Sequence, residues 1–167
     1  NFAPSVDLNT EPSNPVIGFR SFGADKEAVI AQAQAYATGL LSHGVLPVIK
    51  HFPGHGDTHQ DSHLTLPTLL HSIERLEEIE LFPFAEMIEK GIAGVMTAHL
   101  QVPVLDDRPN RPATLSQPII QQLLKEKMGF EGLVFTDALD MGAVAEHYTP
   151  AEAALEAVKA GNDILIF

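Results

Sequence analysis

Short apolar runs alternate along the chain with longer segments in which apolar residues recur at helical spacing. Five apolar runs predict β-strands: residues 2–8, 45–50, 94–99, 132–137 and 163–167. Four segments predict the main helices: residues 25–42, 72–90, 116–128 and 149–160. The first strand is only loosely predicted because Pro4 has no amide hydrogen to donate. The regular part of strand 45–50 is expected to begin at Val48, since Pro47 precedes it.

Turn and cap residues support these boundaries. Gly44 follows the first helix as a stop, and Pro83 predicts a kink or restart within the second. Ser116 is expected to cap the third helix. The sequence Thr-Pro-Ala-Glu at 149–152 is a capping box with proline at the first helical position.

Strands that alternate with helices indicate an α/β fold with a parallel sheet. Two architectures fit: a doubly wound open sheet, or part of a TIM (β/α)8 barrel. The chain has no GxGxxG motif and no phosphate loop, which disfavours the nucleotide-binding version. Three predicted strands end in polar residues at Lys50-His51, His99 and Asp137, which is the pattern of barrel enzymes.

The length of the chain argues for a piece of such a barrel. A complete barrel has typically about 250 residues, whereas this chain has 167 and closes on a strand with no helix after it. We therefore expect an internal fragment of about five βα units, completed by the remaining barrel segments of the same protein.

Composition limits the possible partners and cofactors. The formal net charge of −12 disfavours nucleic acid and anionic membrane surfaces as partners of this chain. The longest apolar runs are too short to span a membrane. There is no cysteine, which excludes disulfides, thiolate metal sites and cysteine nucleophiles. This composition fits the bacterial cytoplasm and the periplasm alike.

The densest group of titratable residues lies between Lys50 and His63, where histidines recur every fourth residue at 51, 55, 59 and 63. On a helix this spacing would align metal ligands. Pro53, Gly54 and Gly56 make a continuous helix implausible. A loop folded around a zinc ion, with Asp57 or Asp61 assisting, remains open on the residues alone.

Within this stretch, Asp61 precedes His63 by two residues. A carboxylate so placed can hydrogen-bond the imidazole, fix its tautomer and prepare it for general acid/base catalysis. The simpler alternative is an Asx-turn beside an exposed histidine. A Ser-His-Asp hydrolase that uses Ser62 is conceivable, although adjacent serine and histidine reach that geometry with difficulty and no GxSxG elbow is present.

Three further residues are candidates with simple structural alternatives. Asp137 could act as a nucleophile at a barrel mouth, or could N-cap a short helix over 138–145; Asp140 is the weaker candidate. Arg20, between two glycines, could hold a sugar hydroxyl, a carbonyl or a carboxylate, or could stack on a neighbouring phenylalanine. His99 is expected to be a packed group near the barrel rim rather than a catalytic one.

Several of these stretches resemble glycoside hydrolase family 3, most closely its bacterial β-N-acetylglucosaminidases. The resemblance lies in the KHFPGHG run at 50–56, DSH at 61–63 and FTD at 135–137, supported by RSFG at 20–23 and MTAH at 96–99. It extends in order over essentially the whole chain, and KHFPGHG followed by D-x-H at this spacing is highly specific. It identifies residues 1–167 as part of the N-terminal catalytic barrel domain of that family.

The resemblance implies a retaining enzyme that removes terminal, non-reducing N-acetylglucosamine, with muropeptides derived from peptidoglycan as substrates. It implies that Asp137 is the nucleophile and that His63, oriented by Asp61, is the acid/base. It implies that Arg20, Lys50 and His51 bind hydroxyls of the sugar. No metal or organic cofactor is implied, and either water or phosphate could serve as acceptor.

Two alternatives stay open at this point. One is a β-glucosidase or β-xylosidase of the same family, which the DSH loop disfavours because those branches usually take the acid/base from another domain. The other is a non-catalytic module that binds a sugar or a metal.

Overall fold

The computed structural model describes residues 1–167 as one parallel four-stranded sheet with helices packed beside it. The strands are β1 (Val48–Phe52), β2 (Gly94–Thr97), β3 (Leu133–Ala138) and β4 (Ile164–Ile166). The α-helices are α1 (Lys26–Leu41), α2 (Ile73–Arg75), α3 (Phe82–Glu89), α4 (Gly142–Ala145) and α5 (Pro150–Ala160). Two segments are π-helical, Leu76–Glu80 and Pro118–Lys127, and two are 3-10 turns, Gly18–Arg20 and Ala113–Leu115.

The order of strands in the sheet is the order in the sequence, β1-β2-β3-β4. A doubly wound sheet reverses its strand order at a switch point, whereas a barrel adds each strand beside the preceding one. All three strand pairs are parallel, and Val95 of β2 aligns with Ile49 of β1 and Val134 of β3. The sheet is therefore laid out as consecutive units of a barrel, with its carboxyl ends along one edge.

Local sequence signals account for the helix ends. The Asp25 carboxylate accepts a hydrogen bond from the Ala28 amide at 2.8 Å and caps α1. The predicted capping box forms at α5, where Thr149 and Glu152 satisfy each other's backbone amides. Gly161 ends α5 in the left-handed conformation, at φ 110°, which glycine adopts without a steric cost.

The main core lies where the sheet meets its helices. Buried side chains from β1, β2 and β3, such as Ile49, Val95 and Val134, share one cluster with residues of α1, α3 and the 118–127 segment. Strand β2 is buried along its whole length, as expected for a central parallel strand with both faces covered. A smaller cluster joins Ala157 of α5 to Leu165 of β4 and to Leu139, the residue after β3.

Two predictions about secondary structure are corrected. The segment 2–8 is not a strand: it makes a single parallel bridge between Ser5 and Lys50, so the sheet has four strands rather than five. The missing amide of Pro4 and the turn of the Asp7 side chain toward β1 explain why the ladder does not extend.

The second correction concerns the helix at 116–128, which is π-helical and begins at Pro118. Its last turn shows the wider spacing, because the Met128 amide donates to the Leu123 carbonyl five residues back. Ser116 still supports the start of the helix, since its hydroxyl accepts from the Ile119 amide at 3.3 Å. None of the helices combines the length and apolarity needed to cross a bilayer.

Gly56 offers a test of how closely the first segment packs on the loop after β1. A Cβ atom at this position would lie 1.8 Å from the Leu8 carbonyl oxygen, a backbone atom that cannot rotate away. We expect Gly56→Ala to lower the free energy of unfolding by about 3 kcal/mol or more, measured by denaturant titration. Gly39→Ala in α1, which has no atom within 4 Å of the new Cβ, should instead be neutral or stabilising by up to about 1 kcal/mol. Equal effects of the two substitutions would contradict this packing.

Candidate active site

Three strand ends deliver polar side chains to the same edge of the sheet. His51 is the last residue but one of β1, His99 follows the end of β2, and Asp137 is the fifth residue of β3. Residue Thr97 of β2 aligns with Phe52 of β1 and with Thr136 of β3, so the three polar positions lie at similar heights. The predicted convergence of these strand ends is present in the structure.

The carboxylate of Asp7 organises the end of β1, a role that no motif in the sequence indicates. Asp7 is 1% exposed and accepts hydrogen bonds from the Ser5 hydroxyl at 2.8 Å, the His51 amide at 3.1 Å and the His55 amide at 2.7 Å. It also receives the Nδ1 proton of His51 at 2.8 Å. Burial alone would raise the pKa of Asp7, but the charge and hydrogen bond of His51, together with His55, hold that pKa far below its usual range. Asp7 therefore stays ionised and fixes the backbone where the loop leaves the sheet.

His51 and His55 use this arrangement differently. Because a carboxylate only accepts, the His51 Nδ1 atom carries the proton, and Nε2 is the ring atom left for another partner. The His55 ring is 1% exposed and joins Thr58 Oγ1 at 2.8 Å to Ser62 Oγ at 3.0 Å. Burial, followed by the charge of His51, lowers the pKa of His55 to about 4. His55 is therefore a neutral structural bridge across the loop at physiological pH.

Asp61 and His63 form the predicted pair. The Asp61 carboxylate accepts the His63 Nδ1 proton at 2.7 Å and the His63 amide at 2.9 Å. The backbone bond, followed by the imidazole, lowers the pKa of Asp61 below its ordinary value. This leaves Nε2 of His63 free, on a side chain that is 59% exposed. The pair has the tautomer and the access that a proton shuttle needs.

Ser62 does not join this pair in a triad. Its side chain is buried and contacts the ring of His55, whose other nitrogen meets Thr58 rather than a carboxylate. The Ser-His-Asp alternative is therefore wrong for this loop.

The loop that carries His63 is attached to the chain that follows β3. The Gly142 amide donates to the His63 carbonyl at 3.1 Å, and the Ala143 amide donates to the Ser62 carbonyl at 3.3 Å. A Cβ atom on Gly142 would lie 2.8 Å from that His63 oxygen, so the approach requires glycine. Asp137 lies five residues earlier, which places the two predicted reacting groups on connected backbone segments. No surface cavity of the structure is lined by both of them.

Asp137 does not N-cap a helix over 138–145. It belongs to β3, its carboxylate accepts from the Ala138 amide at 2.9 Å, and the following helix is only Gly142–Ala145. Its charge acts on the neighbouring groups, because it raises the pKa of Lys50, His55 and His99 against the effect of their burial. Asp137 thus lies among the basic side chains at the carboxyl edge of the sheet.

Arg20 and Lys50 lie together, as the prediction of a shared sugar site requires. Both line a groove of about 260 Å³ beside Phe22 and Tyr36. Burial, followed by the charge of Arg20, lowers the pKa of Lys50. The Arg20 guanidinium turns back to donate to the Val16 carbonyl at 2.7 Å and 3.0 Å instead of stacking on a phenylalanine.

His99 is a packed group, as predicted. It is buried, and its Nε2 atom donates to the carbonyl of Ala138 at 2.8 Å, while Nδ1 lies 2.9 Å from the Thr114 hydroxyl. Burial lowers its pKa. The neutral ring holds the backbone directly after Asp137 and has no free nitrogen for a substrate.

The four regularly spaced histidines do not converge on a metal. His51, His55 and His63 are bonded to Asp7, Thr58 and Asp61 respectively, and His59 is exposed beside Glu11. The ligand atoms that do converge belong to Asp57, His71 and Glu80, which lie within 4.8 Å of one another. There the Arg75 guanidinium donates to Asp57 at 3.3 Å and to Glu80 at 3.0 Å, and so supplies the positive charge that a metal would bring.

The fold and these strand-end groups have the layout of a barrel-enzyme site. The profile of the glycosyl hydrolase family 3 N terminal domain matches residues 1–167. The chain belongs to this family. It is 43% identical to Beta-hexosaminidase A of Pseudoalteromonas piscicida over 99% of its own length and 29% of that protein.

Solved structures give the same result. The family 3 β-N-acetylglucosaminidase from Paenibacillus sp. str. FPU-7 is 47% identical, with a TM-score of 0.96 over 99% of this chain and 32% of that one. NagZ from Neisseria gonorrhoeae, solved with N-trifluoroacetyl-D-glucosamine, is 38% identical, with a TM-score of 0.87 over 99% of this chain and 46% of that one. The predicted partial-barrel fold is confirmed, and the chain spans less than half the length of each of these proteins.

The buried histidines predict how stability depends on pH. His55 binds a proton with a pKa of about 4 when folded and about 6.5 when unfolded, so the unfolded state takes up more protons in acid. The contribution of neutral His55 is complete above pH 6.5 and is lost as the pH falls to 4, on the order of 3 kcal/mol at most. We expect denaturant midpoints to fall over this range, with a shallower fall in His55→Gln. His147→Gln, which changes an exposed histidine, is the control, and an unchanged slope in His55→Gln would refute the assignment.

Proposed function

We propose that the protein containing this chain is a retaining β-N-acetylhexosaminidase that hydrolyses terminal, non-reducing β-linked N-acetylglucosamine. The observation that carries the proposal is the Asp61–His63 pair on a loop bonded to the backbone just after β3, the strand that bears Asp137. Residues 1–167 supply part of the catalytic barrel in this proposal. The names of the related hexosaminidase and β-N-acetylglucosaminidases support the choice of sugar.

Asp137 acts as the nucleophile in this mechanism. Its carboxylate attacks the anomeric carbon as the glycosidic bond breaks, and a covalent glycosyl-enzyme forms. Lys50 and His99 lie close enough to Asp137 for its charge to act on both of them.

His63 moves the proton in both steps. With Nδ1 committed to Asp61, Nε2 delivers a proton to the departing oxygen and later takes one from the water that cleaves the glycosyl-enzyme. Most glycosidases use a second carboxylate here. The imidazole with its aspartate partner provides the same proton while its charge in the donating form balances that of Asp61.

Arg20, Lys50 and His51 bind the sugar in the proposal. Arg20 and Lys50 only donate hydrogen bonds, which suits hydroxyl oxygens. Nε2 of His51 remains available beside them because Asp7 holds Nδ1. We propose muropeptides derived from peptidoglycan as the natural substrates, in line with the resemblance of the 50–63 stretch.

The nucleophile can be tested in the full-length protein with a chromogenic β-N-acetylglucosaminide. We expect turnover that is insensitive to a chelator, and Asp137→Ala should lower it by about a thousandfold or more because no covalent intermediate forms. Asp140→Ala, one turn further along, should stay within about threefold of the parent. Loss at Asp140 with retention at Asp137 would refute the assignment, and loss of turnover on chelation would favour a metal site instead.

The acid/base role predicts a dependence on the leaving group. His63→Ala should lower kcat/KM by about a hundredfold or more for an alkyl glycoside, which needs the proton, and by much less for a dinitrophenyl glycoside, which does not. Azide should raise turnover of the dinitrophenyl substrate by this variant, since it attacks the glycosyl-enzyme without a general base. Equal losses on both substrates, with no response to azide, would exclude His63 from this role.

A further inference from the structure

The neck of the 58–70 loop is closed by four charged or titratable side chains that the proposed chemistry does not use. We call them the neck network: Asp57, His71, Arg75 and Glu80. Asp57 directly precedes the loop and His71 directly follows it, while Arg75 and Glu80 belong to the helical segments beyond. The loop between them carries both Asp61 and His63.

Hydrogen bonds connect all four side chains. His71 Nε2 meets Asp57 Oδ2 at 2.7 Å, and the Arg75 guanidinium donates to that same oxygen at 3.3 Å. Arg75 also donates to Glu80 Oε1 at 3.0 Å. The two ends of the loop are thus joined to each other and to the helix beneath them.

Glu80 is the most buried side chain of the network. Its side chain is 4% exposed, and its second carboxylate oxygen has no hydrogen-bond partner within the chain. A Cβ on Gly54 would lie 2.8 Å from Glu80 Cβ. The turn at Gly54, which precedes the loop, therefore packs directly on this side chain. Removing Arg75 would leave a buried carboxylate without its counter-charge immediately below the loop.

Other contacts hold the rest of the loop. Backbone bonds join Pro67 and Leu69 to Gln101, and join Ser62 and His63 to Ala143 and Gly142. The side chain of His63 itself is mostly exposed and is bonded only to Asp61. Its position relative to Asp137 therefore depends both on these backbone bonds and on how the loop leaves its neck.

We propose that Arg75 is a positioning residue for the acid/base: its guanidinium between Asp57 and Glu80 closes the neck of the 58–70 loop and thereby sets where His63 meets the leaving-group oxygen. The inference rests on the proposed function. Arginine suits this place because one guanidinium nitrogen, Nη2, donates to both carboxylates and the group keeps its charge when partly buried. Lysine offers the charge on a more flexible stem.

The test measures kcat/KM of the full-length protein on aryl β-N-acetylglucosaminides whose leaving groups cover a range of acidity. Arg75→Gln should lower kcat/KM about tenfold or more for the least acidic phenol and about threefold or less for the most acidic. Arg75→Lys should restore part of the difference. A neck that is merely structural would reduce the active fraction and lower all substrates by one factor, which would overturn the proposal.

Two further variants keep the result interpretable. Lys127→Gln breaks the exposed ion pair between Lys127 and Glu77, which lies on the same helical segment as Glu80, and should leave the leaving-group dependence unchanged. His71→Asn removes only the contact of His71 with Asp57 and should steepen the dependence in the same direction by a smaller amount. An unchanged dependence in His71→Asn and in a folded Arg75→Gln would overturn the role of the neck.

Hydrogen exchange gives a readout that is independent of turnover. Arg75→Gln should speed amide exchange within residues 58–70 by about tenfold while β2 and β3 stay protected. Unchanged exchange in the loop would overturn the clamp even if activity fell. Absence of turnover in the parent protein would instead refute the proposed function, and chelator-sensitive leaving-group dependence would show that a metal closes the neck rather than Arg75.

Discussion

The buried carboxylate of Asp7 is the constraint on which the site depends. An ionised group that is 1% exposed is tolerated only when its hydrogen-bonding capacity is filled. Its donors come from the first segment, from the end of β1 and from the turn after it, through Ser5, His51 and His55. Each of these three segments takes its position only together with the other two. The start of the chain and the loop after β1 therefore form one unit, although residues 2–8 contribute only a single β-bridge to the sheet.

Burial of the titratable side chains decreases along the loop from that anchor. His51 and His55 are buried and committed to fixed partners, Asp57 is held in the neck network, and His63 projects from the tip. This gradient suits the proposed chemistry, because a proton shuttle must meet a bulky leaving group in one step and a small water molecule in the next. Groups that shape the sugar pocket have no such double task and can be rigid.

The parts of the structure that follow from local rules were predictable from the sequence. Helical periodicity places α1 within a residue or two, the capping box at Thr149 does the same for α5, and apolar runs locate β1 to β4. The Asp61–His63 contact also follows from a spacing of two residues. Its assignment to catalysis came from the resemblance of the motif, since the spacing alone equally suits an exposed turn.

What escaped prediction depends on residues distant in sequence. Asp7 lies within an apolar run, and its partners His51 and His55 are 44 and 48 residues away. The neck network joins Asp57 to Arg75 across 18 residues, and no short pattern marks either of them as paired. The π-helical turns at 118–127 likewise arise from packing, because the local sequence begins with the proline and ends with the lysines of an ordinary helix.

In the proposed mechanism, charge accounts for an imidazole in the place where most glycosidases have a carboxylate. Asp7 and Asp61 already place two carboxylates in the 50–63 region, and Asp137 adds a third at the edge of the sheet. A glutamate acid/base would add another negative charge each time it gave up its proton, in a chain whose net charge is −12. The His63–Asp61 pair is neutral overall when it holds the proton and carries one negative charge after donation. In the proposed mechanism the extra carboxylate is thus hydrogen-bonded throughout the cycle, and Lys50 lies close enough to Asp137 for that charge to act on it.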